Sequence, residues 1–231
     1  MKLLLFDLDG TILHAAHTAG HVPFDLAMRD VFGVDVSIRR IRPDGKTDPL
    51  IVQELLALGG VEPEVDTASL ARFHERLAAH LAAAIAAGTT RVDALPGVRR
   101  LLELVAGDDR FALAVLTGNL EAAAELKLRA AGLEAFFPVG AFGSDHAQRH
   151  ELPAFARTRH HERSGRDVPL GDCVIIGDTP RDHAAAVRNG MDSVLVASGR
   201  VPLEELAALR PAAAFGDWSD ADAIHGALAR L

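Results

Sequence analysis

Two aspartates, Asp7 and Asp9, close a short apolar run, Leu3-Leu4-Leu5-Phe6, and are followed by Gly10 and Thr11. Residues two apart on an extended strand share a face, so both carboxylates can address one site. Clustered carboxylates repel unless a proton or a cation stands between them. Mg²⁺ takes oxygen ligands and often a substrate phosphate as well. One carboxylate could then attack phosphorus while the other handles a proton. The apolar run suits a strand buried on both faces of a parallel sheet, and the C-terminal end of such a strand opens into the crevice where α/β sheets bind ligands. Taken alone, the same string is also an ordinary strand-to-turn junction.

Two more stretches repeat the pattern of a buried strand ending in polar residues. Phe111–Leu116 ends in Thr117-Gly118-Asn119. A hydroxyl beside the free N–H groups of a starting helix makes an anion site, with simple helix capping as the plainer role. Cys173-Val-Ile-Ile176 ends in Gly177-Asp178-Thr179-Pro180-Arg181-Asp182. Two further carboxylates, Asp178 and Asp182, thus stand at a strand's end and at the start of the next helix. Capping of the following helix explains either aspartate singly, and explains poorly why both follow a buried strand here.

In this order and at this spacing, Asp7-Leu8-Asp9-Gly10-Thr11, Leu116-Thr117-Gly118-Asn119 and Gly177 to Asp182 resemble motifs I, II and IV of the haloacid dehalogenase (HAD) superfamily. The resemblance implies an α/β fold, a Rossmann-like, mostly parallel sheet. It implies that Asp7 is a nucleophile carrying an aspartyl-phosphate and that Asp9 is an acid/base. It implies Mg²⁺ held by Asp7, the backbone carbonyl of Asp9, Asp178 and Asp182, with Thr117, Gly118 and Asn119 around the phosphoryl group. Motif III departs from the pattern. The family's lysine is expected in Gly143–Pro153, where no lysine occurs. Arg149 has the charge and position to replace it and pairs with phosphate bidentately. Lys127 is the other candidate, but it lies two turns along a helix leading away from the site, roughly 12 Å. Arg149 is therefore the expected substitute.

Between the first two motifs the pattern is helical. Phe24–Phe32, Asp48–Leu58 and Ala68–Ala87 carry helical spacing, and Gly33, Gly59-Gly60 and Gly88 sit at helix stops. This segment, residues 14–92, resembles a C1 helical cap of about four helices, inserted into a core made of 1–13 and 93–231. Within it, Lys46 of Gly45-Lys46-Thr47-Asp48 could reach over the core toward a substrate anion, while Thr47 or Asp48 could simply cap the next helix. His14, His17 and His21 lead into the insert with no common zinc spacing. From Leu95 onward strands at 111–116, 137–142, 173–176 and 193–196 alternate with helices, which implies right-handed crossovers.

The 231 residues carry a net charge of −8, which argues against non-specific nucleic-acid binding. The single Cys173 excludes an internal disulfide and reads as a core residue. No apolar run approaches the ~18 residues of a membrane span. The expectation is a cytoplasmic monomer or homodimer, a Mg²⁺-dependent phosphatase of a small phosphorylated metabolite, resembling phosphoglycolate phosphatase-like members. A β-phosphoglucomutase-like phosphomutase, a phosphonatase using Lys46, and a catalytically silent binding protein are the alternatives. A dehalogenase is disfavoured by Asp9 and the acidic motif IV.

Overall fold

A computed structural model of the chain describes residues 1–14 and 21–231, so His17 lies outside the described residues. Six strands form one sheet in the order β3-β2-β1-β4-β5-β6: β1 (Lys2–Phe6), β2 (Phe111–Leu116), β3 (Gly140–Ala141), β4 (Cys173–Gly177), β5 (Asp192–Val196) and β6 (Ala213–Phe215). Every pairing is parallel. The central strand β1 alternates strictly between two apolar layers. Leu4 and Phe6 face α4 (Val98–Ala106) and α9 (Ala221–Leu228), while Leu3 and Leu5 face α6 (Leu152–Ser164) and α7 (Pro180–Arg188). All four are fully buried, as a strand covered on both faces demands. Among the described residues no helix is long and apolar enough to cross a membrane.

The chain builds outward from β1 to β2 and β3, then returns to lay β4 beside β1. That reversal is the switch point at which open α/β sheets bind ligands beyond the carboxyl ends of the strands. Asp7, Thr117 and Asp178 stand one residue past β1, β2 and β4 respectively.

Three elements differ from expectation at the sheet's margins. The strand expected over Phe137–Phe142 shrinks to Gly140–Ala141, paired with Val115 and Leu116. Pro138 donates no N–H and interrupts the ladder. Beyond β5, a helix α8 (Leu203–Ala208) and the edge strand β6 complete the sheet. Among the described residues the helical insert holds α1 (His21–Phe32), α2 (Asp48–Leu58) and α3 (Thr67–Ala86) with one 3₁₀ turn, Ile38–Arg40, where about four helices are expected. These helices bury a cluster of their own around Phe24, Met28, Leu55 and Phe73. Phe24 meets Phe73 edge to face at 5.0 Å. The cluster also takes in Leu120 and Ala123, at the start of α5 (Glu121–Ala131), so the insert rests directly on the helix that follows β2.

The segment between β6 and α9 reaches back to the chain's opening turn. Trp218, 1% exposed, donates its Nε1–H to the Thr11 carbonyl at 2.7 Å. Trp218→Ala removes both the packing and this bond, and is expected to cost about 3–5 kcal/mol. Chemical denaturation of the two proteins checks this; a loss under about 1 kcal/mol would mean that the turn holds itself.

Candidate active site

Asp7 is anchored from both sides. Its N–H donates to the Ile176 carbonyl of β4 at 2.9 Å, and its carboxylate is 4% exposed. The chain then turns through Gly10 at φ +85°, where a side chain would be strained and would press on Asp178. Thr11 donates its hydroxyl to Asp178 Oδ1 at 2.8 Å, and Ser198 donates to the Gly10 carbonyl at 2.8 Å. Asp178 is enclosed from the other side by Gly199, where a Cβ would overlap its carboxylate. Neither Ser198 and Gly199 nor Trp218 carries a sequence signal for this role; each arrives from a loop after β5 or β6.

Asp7, Asp178 and Asp182 offer ligand atoms that all lie within 4.8 Å of one another, each residue buried. Arg149 is buried among them. Its guanidinium stands 3.0 Å from Asp7 Oδ1 and donates to Asp182 Oδ1 at 2.5 Å. Asp182 is wholly enclosed. Its Oδ2 accepts from the Thr179 N–H at 3.0 Å and the Thr179 hydroxyl at 2.7 Å, closing a capping box at the start of α7. The capping role and the acidic-cluster role thus coincide in one residue.

Three buried carboxylates against one guanidinium leave an excess of negative charge. Burial, then repulsion from Asp182 and Asp7, pushes the Asp178 carboxyl up to about 8. Burial pushes Asp7 up to about 6, with Arg149 opposing it. On Arg149 burial works against the charge, but Asp182 and Asp7 outweigh it and raise the guanidinium further. An all-oxygen donor set with two charges to cancel fits a hard divalent cation such as Mg²⁺.

Asp9 faces a different environment. Its Oδ2 accepts from Lys127 Nζ at 2.5 Å and from Asn119 Nδ2 at 2.6 Å. Asn119 Nδ2 also donates to Thr117 Oγ1 at 2.8 Å, and Asn119 Oδ1 accepts from Lys127 at 2.7 Å. Burial raises the Asp9 carboxyl, but the Lys127 charge and these bonds prevail and hold it below its ordinary value. The expectation that Lys127 points away from the site is therefore corrected. Long side chains on a helix lean back toward its N-terminus. Lys127 shares a face with Ala123, one turn nearer the start, and its chain spans the distance that the helical rise opens.

A cavity of about 550 Å³ connects these groups, lined by Asp7, Asp9, Thr117 and Arg149 below and by residues of the insert above. The insert is zipped to the core at its floor. Asp48 N–H donates to the Gly118 carbonyl at 2.7 Å, Leu120 N–H returns a bond to Asp48 Oδ2 at 2.9 Å, and the Thr47 hydroxyl donates to the Ala147 carbonyl at 2.5 Å. Lys46 lines the cavity, but its ammonium is paired with Glu54 of α2. His14 and His21 also line it.

A profile of the haloacid dehalogenase-like hydrolases matches residues 4–186 of the chain. Over 227 residues the chain is 30% identical to phosphoglycolate phosphatase of Rhodospirillum rubrum, spanning 94% of this chain and 90% of the relative. Among solved structures it is similar to a hydrolase from Pseudomonas syringae, with a TM-score of 0.69, 22% identity and 95% of each chain covered. It is also similar to CbbY from Rhodobacter sphaeroides in complex with phosphate, with a TM-score of 0.67, 18% identity, and 95% of this chain and 96% of that one covered. Fold, motif order and profile agree: the chain belongs to the haloacid dehalogenase-like hydrolases.

Proposed function

We propose that the chain is a Mg²⁺-dependent phosphatase that hydrolyses a small phosphorylated metabolite through an aspartyl-phosphate on Asp7. The observation that carries the reading is the buried Asp7–Asp178–Asp182 cluster, with Arg149 inside it, at the switch point of the sheet. Asp7, Asp178, Asp182 and the Asp9 carbonyl would hold Mg²⁺, which when bound supplies charge to neutralise phosphoryl oxygens and to screen the carboxylates.

Asp7 attacks phosphorus as the bond to the leaving oxygen breaks, and Asp9 gives that oxygen a proton. Water then attacks the aspartyl-phosphate, its proton passes to Asp9, and the bond between Asp7 and phosphorus breaks. Thr117, the N–H groups of Gly118 and Asn119, and Arg149 hold the remaining oxygens. Arg149 Nε is buried without an acceptor among the described residues and is the donor left over for one of them. Residues 14–92 form a cap over the core of 1–13 and 93–231, excluding water and selecting substrate, with Lys46 toward its anionic end. The relative's name makes phosphoglycolate the first compound to try. A single buried Cys173 supports a cytoplasmic setting.

Phosphate release from a panel of phosphorylated metabolites, with Mg²⁺ and with EDTA, tests the reading. Turnover that EDTA removes supports it. Isomerisation of a sugar phosphate without net release would instead make the chain a mutase, and indifference to EDTA would remove the metal from the reaction.

Stability should report the metal independently. In the metal-free protein, Asp178 at about 8 and Asp7 at about 6 lie above their ordinary 3.8, so the folded chain keeps protons that the unfolded chain has released. The contribution of these two groups to stability therefore falls as pH rises from near 4 toward 8. Mg²⁺ reverses this, adding about 2.7 kcal/mol at a hundred times its Kd, and more at pH 8 than at pH 5.5. Thermal melts in EDTA and in Mg²⁺ at both values measure it. A metal-free melting point that rises with pH over this range would contradict the charge assignment.

A further inference from the structure

Two cations enter this site where the family's pattern supplies one, and they do not share a carboxylate. Arg149 contacts Asp7 and Asp182. Lys127 contacts Asp9 and Asn119. We propose that Lys127 is a positioning residue for the proton-transfer group: it and Asn119 fix Asp9 by Oδ2, leaving Oδ1 to exchange the proton with the leaving oxygen and with water. This rests on the phosphatase reading and assigns within it a role that the motifs do not name.

The geometry is a closed ring. Asp9 Oδ2 accepts from both Lys127 and Asn119, and Lys127 also donates to Asn119 Oδ1. Neither donor can swing away without breaking two bonds. Asn119 is in turn held to Thr117, so the acid/base and the phosphoryl-binding hydroxyl are set in one frame. Among the described residues Asp9 Oδ1 accepts no hydrogen bond, whereas Oδ2 is fully engaged. Asp48, buried at the base of α2, adds a second anion within electrostatic reach of the ammonium and ties its own Oδ2 to Leu120 N–H, at the foot of Lys127's helix. A lysine whose task was to bind phosphoryl oxygens would instead be needed against Asp7, where Arg149 already stands.

The roles separate in the second half-reaction. There water attacks phosphorus, its proton goes to Asp9 Oδ1, and the Asp7–phosphorus bond breaks with its electron pair returning to Asp7. Formation of the aspartyl-phosphate from an aryl phosphate needs no proton on its leaving oxygen; its hydrolysis needs the base.

Acid-quench single-turnover measurements with labelled p-nitrophenyl phosphate and with an alkyl phosphate, on the wild type, Lys127→Met and Lys127→Arg, test the proposal. In Lys127→Met, breakdown of the phosphoenzyme should slow on the order of 10²-fold, the low end of what acid–base assistance contributes. Its formation from the aryl ester and kcat/KM should stay near wild type, so that phosphoenzyme accumulates and KM falls together with kcat. Formation from the alkyl ester should slow as well, and Lys127→Arg should recover part of the loss. Slowed formation from the aryl ester together with a raised KM would mean that Lys127 binds the phosphoryl group, and overturns the proposal; so does breakdown at the wild-type rate. If Lys127→Met fails to fold by its thermal melt, Lys127→Gln carries the same two outcomes. A wild type that releases no phosphate from any compound overturns the phosphatase reading itself, whereas an active wild type with an indifferent Lys127→Met overturns this inference alone.

Discussion

Asp7→Asn is expected to remove phosphate release, with a loss on the order of 10⁴–10⁶-fold, the range seen when a nucleophile is deleted from an otherwise intact site. The amide cannot form the acyl-phosphate bond, while the surrounding structure has little reason to move. Asn is nearly isosteric, its carbonyl oxygen can still accept from Arg149, and the Asp7 N–H bond to Ile176 is unaffected. The substitution also deletes one of three crowded carboxylates, so the metal-free protein should be no less stable at pH 8 than the wild type. Kinetics and a melt on the same preparation give both halves. A folded Asp7→Asn that turns over substrate at the wild-type rate would take Asp7 out of the chemistry.

Arg149→Met should damage stability and catalysis together. The guanidinium is 7% exposed and compensates Asp7 and Asp182, so its removal leaves buried charge without a partner, at a cost of about 3–5 kcal/mol. The carboxylates can escape by taking up protons, so the loss should be smaller at pH 5.5 than at pH 8. Mg²⁺ supplies part of the missing charge and should raise the melting point of Arg149→Met by more than that of the wild type. Phosphate release should fall about 10²–10³-fold, the effect of losing one preorganised donor to the transition state. A variant as stable as the wild type in EDTA at pH 8 would show that Arg149 carries no such load.

Much of this site is legible in the residues because it depends on where strands end. Asp7, Thr117 and Asp178 each follow a run that is apolar throughout, and such runs have one comfortable home, the middle of a parallel sheet. Once the strands are adjacent and parallel, their C-terminal residues converge without further instruction. Arg149 is legible only through the resemblance, which expects a lysine after the third strand where this sequence offers Arg149 instead. What escapes is set by direction and distance rather than by type. Lys127 is misplaced if only the rise of its helix is counted; the backward lean of its side chain brings the ammonium to Asp9. The edge strand β6, Ala213–Phe215, is three partly buried residues with no β-branched side chain, too short for an alternation to register. Ser198 and Trp218 look like loop and core residues because their partners are backbone carbonyls 188 and 207 positions earlier. His17, in the segment leading into the insert, lies outside the described residues.

The clamp on the opening turn has a consequence for how the molecule comes into being. Gly10 and Thr11 wait for Ser198 and Trp218, separations of 188 and 207 residues. At translation rates of about 5–20 residues per second, that wait is about 10–40 s. During it β1 lacks β4, and the aspartates beside it lack the neighbours that hold them. Of the six strands described, the one made first is a central one, and an unpaired run of Leu-Leu-Leu-Phe is the kind of segment that nascent-chain chaperones shield. Asp7 and Asp9 are thus made long before the residues that enclose the turn beside them, so a chain stalled before Trp218 lacks that enclosure, however much of its sheet has formed.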